Sequence, residues 1–154
     1  MAALVDIPVA AEGQQGATTW LADSLEREVQ LMPNNTLLLH YGDISYARGI
    51  ASMWDQYFYQ YQEVFKAHAY MTTPGNHEIL WPGSGSRFDS IGSTDSGGEC
   101  GVVYHNRLRM PHSTVKKQWY AFSQGPVRFL HLSSEMPFGA GSEQYKYVQL
   151  LQCL

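Results

Sequence analysis

The sequence predicts an α/β fold built on parallel strands, and three observations carry that expectation. Two short apolar runs, residues 36–41 and 69–73, each stop beside a glycine that is followed by polar, metal-seeking side chains. Between them, residues 52–67 place Trp54, Tyr57, Phe58, Tyr61 and Phe65 three or four positions apart, the spacing of one helix face. Strand, loop, helix, strand, loop is the βαβ order. Both strands of such a unit run the same way, so the loops after them open on one edge of the sheet.

Residues 1–16 are rich in Ala, Gly and Gln without periodicity, and Pro8 interrupts their one apolar run. From Thr18 to Leu31, Trp20, Leu21, Leu25 and Val29 recur at helical intervals; Thr18 or Thr19 is the expected cap and Pro33 the stop. The run 36–41 is nearly all apolar, which suits a central strand buried on both faces. Ser52 is the expected N-cap of the aromatic helix, with Asp55 placing an acid near its positive end. Its aromatic stripe reads as core. Residues 69–73 form the second strand, broken by Pro74-Gly75. Residues 81–101 hold six glycines and five serines among 21 positions, a loop long enough to be either a rim element of the site or a plain surface excursion. Runs 119–123 and 127–133 flank Gly125-Pro126 and read as a hairpin. Residues 142–153 then form a helix with Tyr145, Val148 and Leu151 expected to face inward.

At 154 residues the chain suits one domain, and 44% hydrophobic against 16% charged content suits a folded one. A net charge of −4 gives no reason to invoke nucleic acid as a partner. No apolar run approaches the roughly 18–20 residues that span a bilayer, and the N-terminus has neither the basic start nor the apolar core of a signal peptide. Cys100 and Cys153 either bridge or remain thiols. Asn34-Asn35-Thr36 fits the glycosylation acceptor pattern at Asn34. Oligomeric state is not written in any of these features.

The candidate site lies just past the two strand ends. Asp43 and Asn76 are 33 positions apart in sequence but are expected to be close in space. Asp43 offers a carboxylate, Tyr46 a phenol oxygen, Asn76 an amide carbonyl and His77 an imidazole, a set that suits a hard metal ion and an anionic ligand.

At these residues the sequence resembles a known family. Gly42-Asp43-Ile44-Ser45-Tyr46 is similar to the GDxxY signature of purple acid phosphatases, and Gly75-Asn76-His77-Glu78 to their GNH(E/D) signature. GD and GNH suit any metallophosphoesterase; Tyr46 narrows the resemblance. Trp54-Asp55, the stretch from Asp95 to Val102, the region from Trp119 to Val127, Leu130-His131-Leu132-Ser133 and Gly141-Ser142-Glu143-Gln144-Tyr145 extend it over about residues 18–154. The resemblance implies part of a four-layer α/β/β/α sandwich holding Fe(III) beside a divalent ion (Zn, Mn or Fe(II)). It implies that Asp43 bridges both ions, Tyr46 binds the ferric one, Asn76 the divalent one, and Asn76 and His77 meet the phosphate, His77 as the catalytic residue. The implied activity is hydrolysis of phosphate monoesters at acidic pH, and the implied location is secreted, vacuolar or lysosome-like.

Each implied role agrees with elementary chemistry. Fe(III) is hard, so carboxylate and phenolate oxygens suit it. A shared carboxylate can hold two ions at the roughly 3.5–4 Å spacing that clamps both oxygens of phosphoryl transfer. A positioned imidazole can stabilise phosphoryl oxygens or assist the leaving group.

The family's opening Asp-x-Gly motif has no clear counterpart. Asp6-Ile7-Pro8 has the offset but the wrong third residue, and almost no strand is expected before it. Nothing after Glu78 is read as having the form of the later VxxH and GHxH motifs; His40, His68, His105, His112 and His131 are read as structural. Three of the usual seven ligands remain, so residues 1–154 are expected to be an incomplete catalytic domain lacking its first strand and later ligand motifs. The alternatives are a degenerate homologue acting as a binding module, or another metallophosphoesterase such as a phosphodiesterase.

Overall fold

The core is organised by aromatic side chains that a broken helix lays against a parallel sheet. The computed structural model describes residues 2–4, 15–31, 36–80 and 96–152. In chain order these form β1 (Ala2–Leu4), α1 (Gln15–Leu31), β2 (Leu37–Tyr41), α2 (Ala51–Gln60), α3 (Gln62–Ala67), β3 (Ala69–Thr73) and α4 (Asn76–Ile79). Then come α5 (Val102–Arg107), β4 (Tyr120–Gln124), β5 (Val127–His131) and α6 (Glu143–Gln152). This is the mixed α/β order expected from the sequence.

Strands β1, β2 and β3 make a parallel sheet in that order, with β2 between its neighbours. Leu37, Leu38, Leu39 and His40 are all buried, so β2 is covered on both faces as its apolar run foretold. Strand β1 corrects the expectation that almost no strand precedes Asp6: Ala2, Ala3 and Leu4 pair in parallel with Leu37, Leu38 and Leu39. Three residues of low β-pattern gave the sequence no alternation to read. Asp6, Asn34, Cys153 and residues 81–95 lie outside the described residues.

Helix α1 starts at Gln15, so Thr18 and Thr19 fall inside it and neither is its cap. It buries Ala22, Leu25 and Val29 and leaves Trp20 67% exposed, which removes Trp20 from the expected core. The aromatic helix is two helices. Tyr61 (φ −104°, ψ 9°) ends α2 and begins α3, and the break keeps Tyr57, Tyr61 and Val64 on the buried side. Ile50, with no side-chain cap, precedes α2, so Ser52 is not its N-cap. Trp54, Tyr57 and Tyr61 are fully buried with Leu25, Val29, Leu38, Ile44 and Tyr104, and Phe65 stacks on Tyr70 of β3 with ring centroids 4.2 Å apart. Offset and tilted aromatic pairs of this kind add to plain area burial.

Strands β4 and β5 form the expected antiparallel hairpin, turned at Gly125-Pro126, where Gly125 supplies a φ of 56°. The hairpin docks on the parallel sheet: Tyr120 Oη donates to Thr72 O at 2.7 Å, and the His131 ring lies 5.0 Å from that of Tyr41. Helix α6 is anchored differently from expectation. Its buried residue is Gln144, whose amide exchanges two hydrogen bonds with the Ser133 backbone (2.7 and 2.9 Å), while Tyr145 is exposed. The paired backbone groups explain why an amide, not an apolar side chain, occupies that position.

Candidate metal centre

Parallel pairing brings the two signature loops to one edge. Tyr41 is in register with Thr73, and Gly42 N donates to Thr73 O at 2.8 Å, so the sheet pairing runs on into the loops. There the chains touch. A Cβ on Gly42 would stand 2.9 Å from Gly75 Cα, and one on Gly75 would meet Asp43 N at 2.6 Å and collide with Asp43 Oδ1. Gly42 also holds a φ of 76°, the left-handed region that costs glycine little. Both signature glycines are therefore required by backbone contact.

This contact places the candidate side chains together. Asp43 Oδ1 accepts the His77 backbone N–H at 3.3 Å, and Asp43 Oδ2 accepts the Tyr46 hydroxyl at 3.3 Å. The Tyr46 and His77 rings lie 4.3 Å apart between centroids. Asn76 opens α4 immediately after Gly75. The structure thus brings Asp43, Tyr46 and His77 into mutual contact on the edge where Asn76 begins its helix. Asp43 and Tyr46 themselves sit at φ 53° and 49°, conformations that non-glycine residues rarely adopt and that surrounding contacts must hold.

The holding contact is Glu78. Its side chain is fully buried and accepts three backbone N–H groups: Gly75 at 2.8 Å, Asp43 at 2.9 Å and Ile44 at 2.7 Å. One carboxylate therefore ties the loop after β2 to the loop after β3. Burial pushes Glu78 up to about 7; the Asp43 charge pushes the same way, and the Gly75, Ile44 and Asp43 N–H groups oppose both. Sequence reading quoted Glu78 inside the GNH(E/D) signature but gave it no role. Its signal was the Glu three positions after a helix-opening glycine, reaching back to that residue's N–H as in a capping box.

The donor chemistry, a carboxylate and a phenol oxygen side by side, fits a hard metal ion. Among the described residues, no group of three His, Cys, Asp or Glu side chains converges to cage a metal. Val102-Val103-Tyr104-His105 has the VxxH spacing, which the sequence reading passed over. It lies within helix α5, where His105 packs edge-on against Tyr104 at 4.9 Å. The remaining histidines read as structural include His40 and His131, both buried in the core.

The family model described as calcineurin-like phosphoesterase matches residues 6–147, and the chain belongs to that family. It is 36% identical over 132 residues to "Probable inactive purple acid phosphatase 27" of Arabidopsis thaliana, covering 86% of this chain and 21% of that protein. It is 35% identical over 132 residues to "Nucleotide pyrophosphatase/phosphodiesterase" of Hordeum vulgare, covering 86% of this chain and 34% of that protein. Among solved structures, the purple acid phosphatase PPD1 from yellow lupin (Lupinus luteus) seeds superposes with a TM-score of 0.71 at 35% identity, covering 84% of this chain and 22% of that one. The fold is thus the α/β fold of the metallophosphoesterases. The chain spans about a fifth to a third of the length of these relatives.

Proposed function

We propose that residues 1–154 supply one half of a dinuclear metal centre in a longer protein that hydrolyses phosphate monoesters at acidic pH. The observation that supports this most is the contact set at the sheet edge, where Asp43, Tyr46 and His77 meet. In this reading Asp43, Tyr46 and Asn76 would hold the ions: Asp43 both Fe(III) and a divalent ion (Zn, Mn or Fe(II)), Tyr46 the ferric one and Asn76 the divalent one. Bound there, such ions supply Lewis-acid polarisation of the phosphoryl group and a nucleophile available in acid. The protein's part is placement. Asp43 would present one carboxylate to both ions, its orientation set by the His77 backbone N–H. His77, packed on the Tyr46 ring, is the group we assign to the phosphate, as hydrogen-bond donor to its oxygens and proton source for the leaving group. The same family reading makes the intact protein secreted or vacuolar, with glycan at Asn34.

Two relatives' names support other readings. One is called inactive and one a nucleotide pyrophosphatase/phosphodiesterase. The intact protein, supplied with iron and zinc, separates the three. An aryl phosphate monoester should be hydrolysed near pH 5, much faster than the matching diester or a dinucleotide pyrophosphate. Asp43→Asn should lower kcat/KM by about a hundredfold or more, since it removes the negative charge that would hold both ions. Preference for the diester or pyrophosphate overturns the monoesterase assignment, and no hydrolysis of any of them makes this a binding protein.

A further inference from the structure

The loop that carries Tyr46 has two ends, and Glu78 holds only the first. The far end runs through Arg48 (φ 49°) and Gly49 (φ 85°), so three residues between Gly42 and Ile50 besides glycine sit in left-handed backbone. Such a path persists only where its surroundings over-determine it. A second buried carboxylate stands at that end. Glu99 Oε1 accepts the Gly49 N–H at 3.1 Å, and both Glu99 oxygens lie 3.0 Å from the Trp54 indole nitrogen, which is fully buried at the start of α2.

Residues 96–101 make further contacts with both signature loops. The Gly97 carbonyl lies against Gly49, where a Cβ would come within 2.7 Å of it. On the other side, Gly101 N donates to Glu78 O at 2.8 Å and the Ser96 hydroxyl donates to Leu80 O. One short segment is therefore joined to the Arg48–Gly49 turn and to α4 at once. Glu99 contacts none of Asp43, Tyr46 or His77 in these bonds; its partners are the backbone and the indole that fix where the Tyr46 loop ends.

We propose that Glu99 is a positioning residue for the metal centre: with residues 96–101 it clasps the far end of the Tyr46 loop and so fixes the separation of Tyr46 from Asp43. The inference rests on the reading of Tyr46 as a ligand only for its consequence, not for its geometry. The clasp explains why the Tyr46 loop follows a strained path without a regular element to support it. A carboxylate suits the task because one side chain can serve the Gly49 N–H and the Trp54 N–H together.

The test uses the intact protein and two readouts. In the metal-free protein, amide hydrogen exchange is measured for Glu99→Ala and Glu99→Gln. Glu99→Ala should speed exchange over residues 43–50 roughly tenfold or more while leaving β4, β5 and α6 unchanged, because the loss is local. Glu99→Gln keeps an acceptor and should restore part of the protection. With ferric ion added, the visible absorption of wild type, Glu99→Ala and Tyr46→Phe is then compared. Loss of the band in Tyr46→Phe with a shifted or weakened band in Glu99→Ala supports the full chain of inference. Exchange that is unchanged at 43–50, or that rises equally throughout the chain, overturns the clasp. A band that survives Tyr46→Phe overturns the ligand reading instead, and leaves the exchange result to decide the clasp by itself.

Discussion

Glu78 shows most sharply how one side chain can organise a site without standing in it. Its buried carboxylate satisfies three backbone donors drawn from two loops, that of Ile44 buried and those of Asp43 and Gly75 part-buried. An unsatisfied buried N–H costs about 1–3 kcal/mol. Glu78→Ala should therefore lower unfolding stability by about 3 kcal/mol or more, and Glu78→Gln by less, since its carbonyl still accepts one or two of the three. Urea midpoints of the two variants check both the size and the order. The candidate ligands were legible in the sequence because Asp43, Tyr46, Asn76 and His77 carry chemistry in their side chains and fall in short motifs behind strands. Glu78 and Glu99 were not, because their partners are peptide N–H groups and one indole N–H, most of them 34 to 50 residues away, and a sequence does not display which donors lack partners.

Among the elements, the meeting of the two loops depends on two glycines more than on any side chain. Gly42 and Gly75 approach until a Cβ on either would enter the other's backbone. Gly75→Ala keeps an allowed backbone conformation, since Gly75 has φ −100°, so its effect isolates the steric contact. The added methyl must displace Asp43, and overpacking of this kind typically costs about 1–3 kcal/mol. The expected outcome is a drop in thermal midpoint together with weakened ferric-ion uptake by the intact protein, both measured on the same preparation. A variant with normal uptake would show that the loops can part without losing the site. The parallel pairing of β2 with β3 and the β4–β5 hairpin followed from apolar runs and turn residues, as expected. The missed features at this scale have local causes. Strand β1 is three residues long, the break at Tyr61 leaves the buried stripe in phase, and α6 is held through an amide that no hydrophobic pattern marks.

Across the whole molecule, two buried imidazoles oppose protonation, and one of them, His131, sits where the hairpin meets the parallel sheet. His131 stacks on Tyr120 at 4.6 Å and packs near Tyr41 of the parallel sheet, with both ring nitrogens buried and lacking hydrogen-bond partners. His40, on β2, contacts the Tyr70 hydroxyl at 2.7 Å and lies beside that of Tyr57. Burial holds both imidazoles down at about 4, against an ordinary 6.5. The folded state therefore binds fewer protons than the unfolded state between these values. Stability from the two histidines is fully present above about pH 6.5 and is lost as pH falls toward 4. Glu78 acts with the opposite sign, because its folded carboxyl, raised to about 7, takes up a proton before the unfolded one does. His131→Phe keeps a flat ring between Tyr120 and Tyr41 and removes the titrating group. Its unfolding free energy should fall less than that of the wild type between pH 6.5 and 4.5, with the two curves closest in shape above pH 7. Parallel curves across that window would show that His131 is solvated when the protein is folded, and that the contact between hairpin and parallel sheet does not sense acid through it.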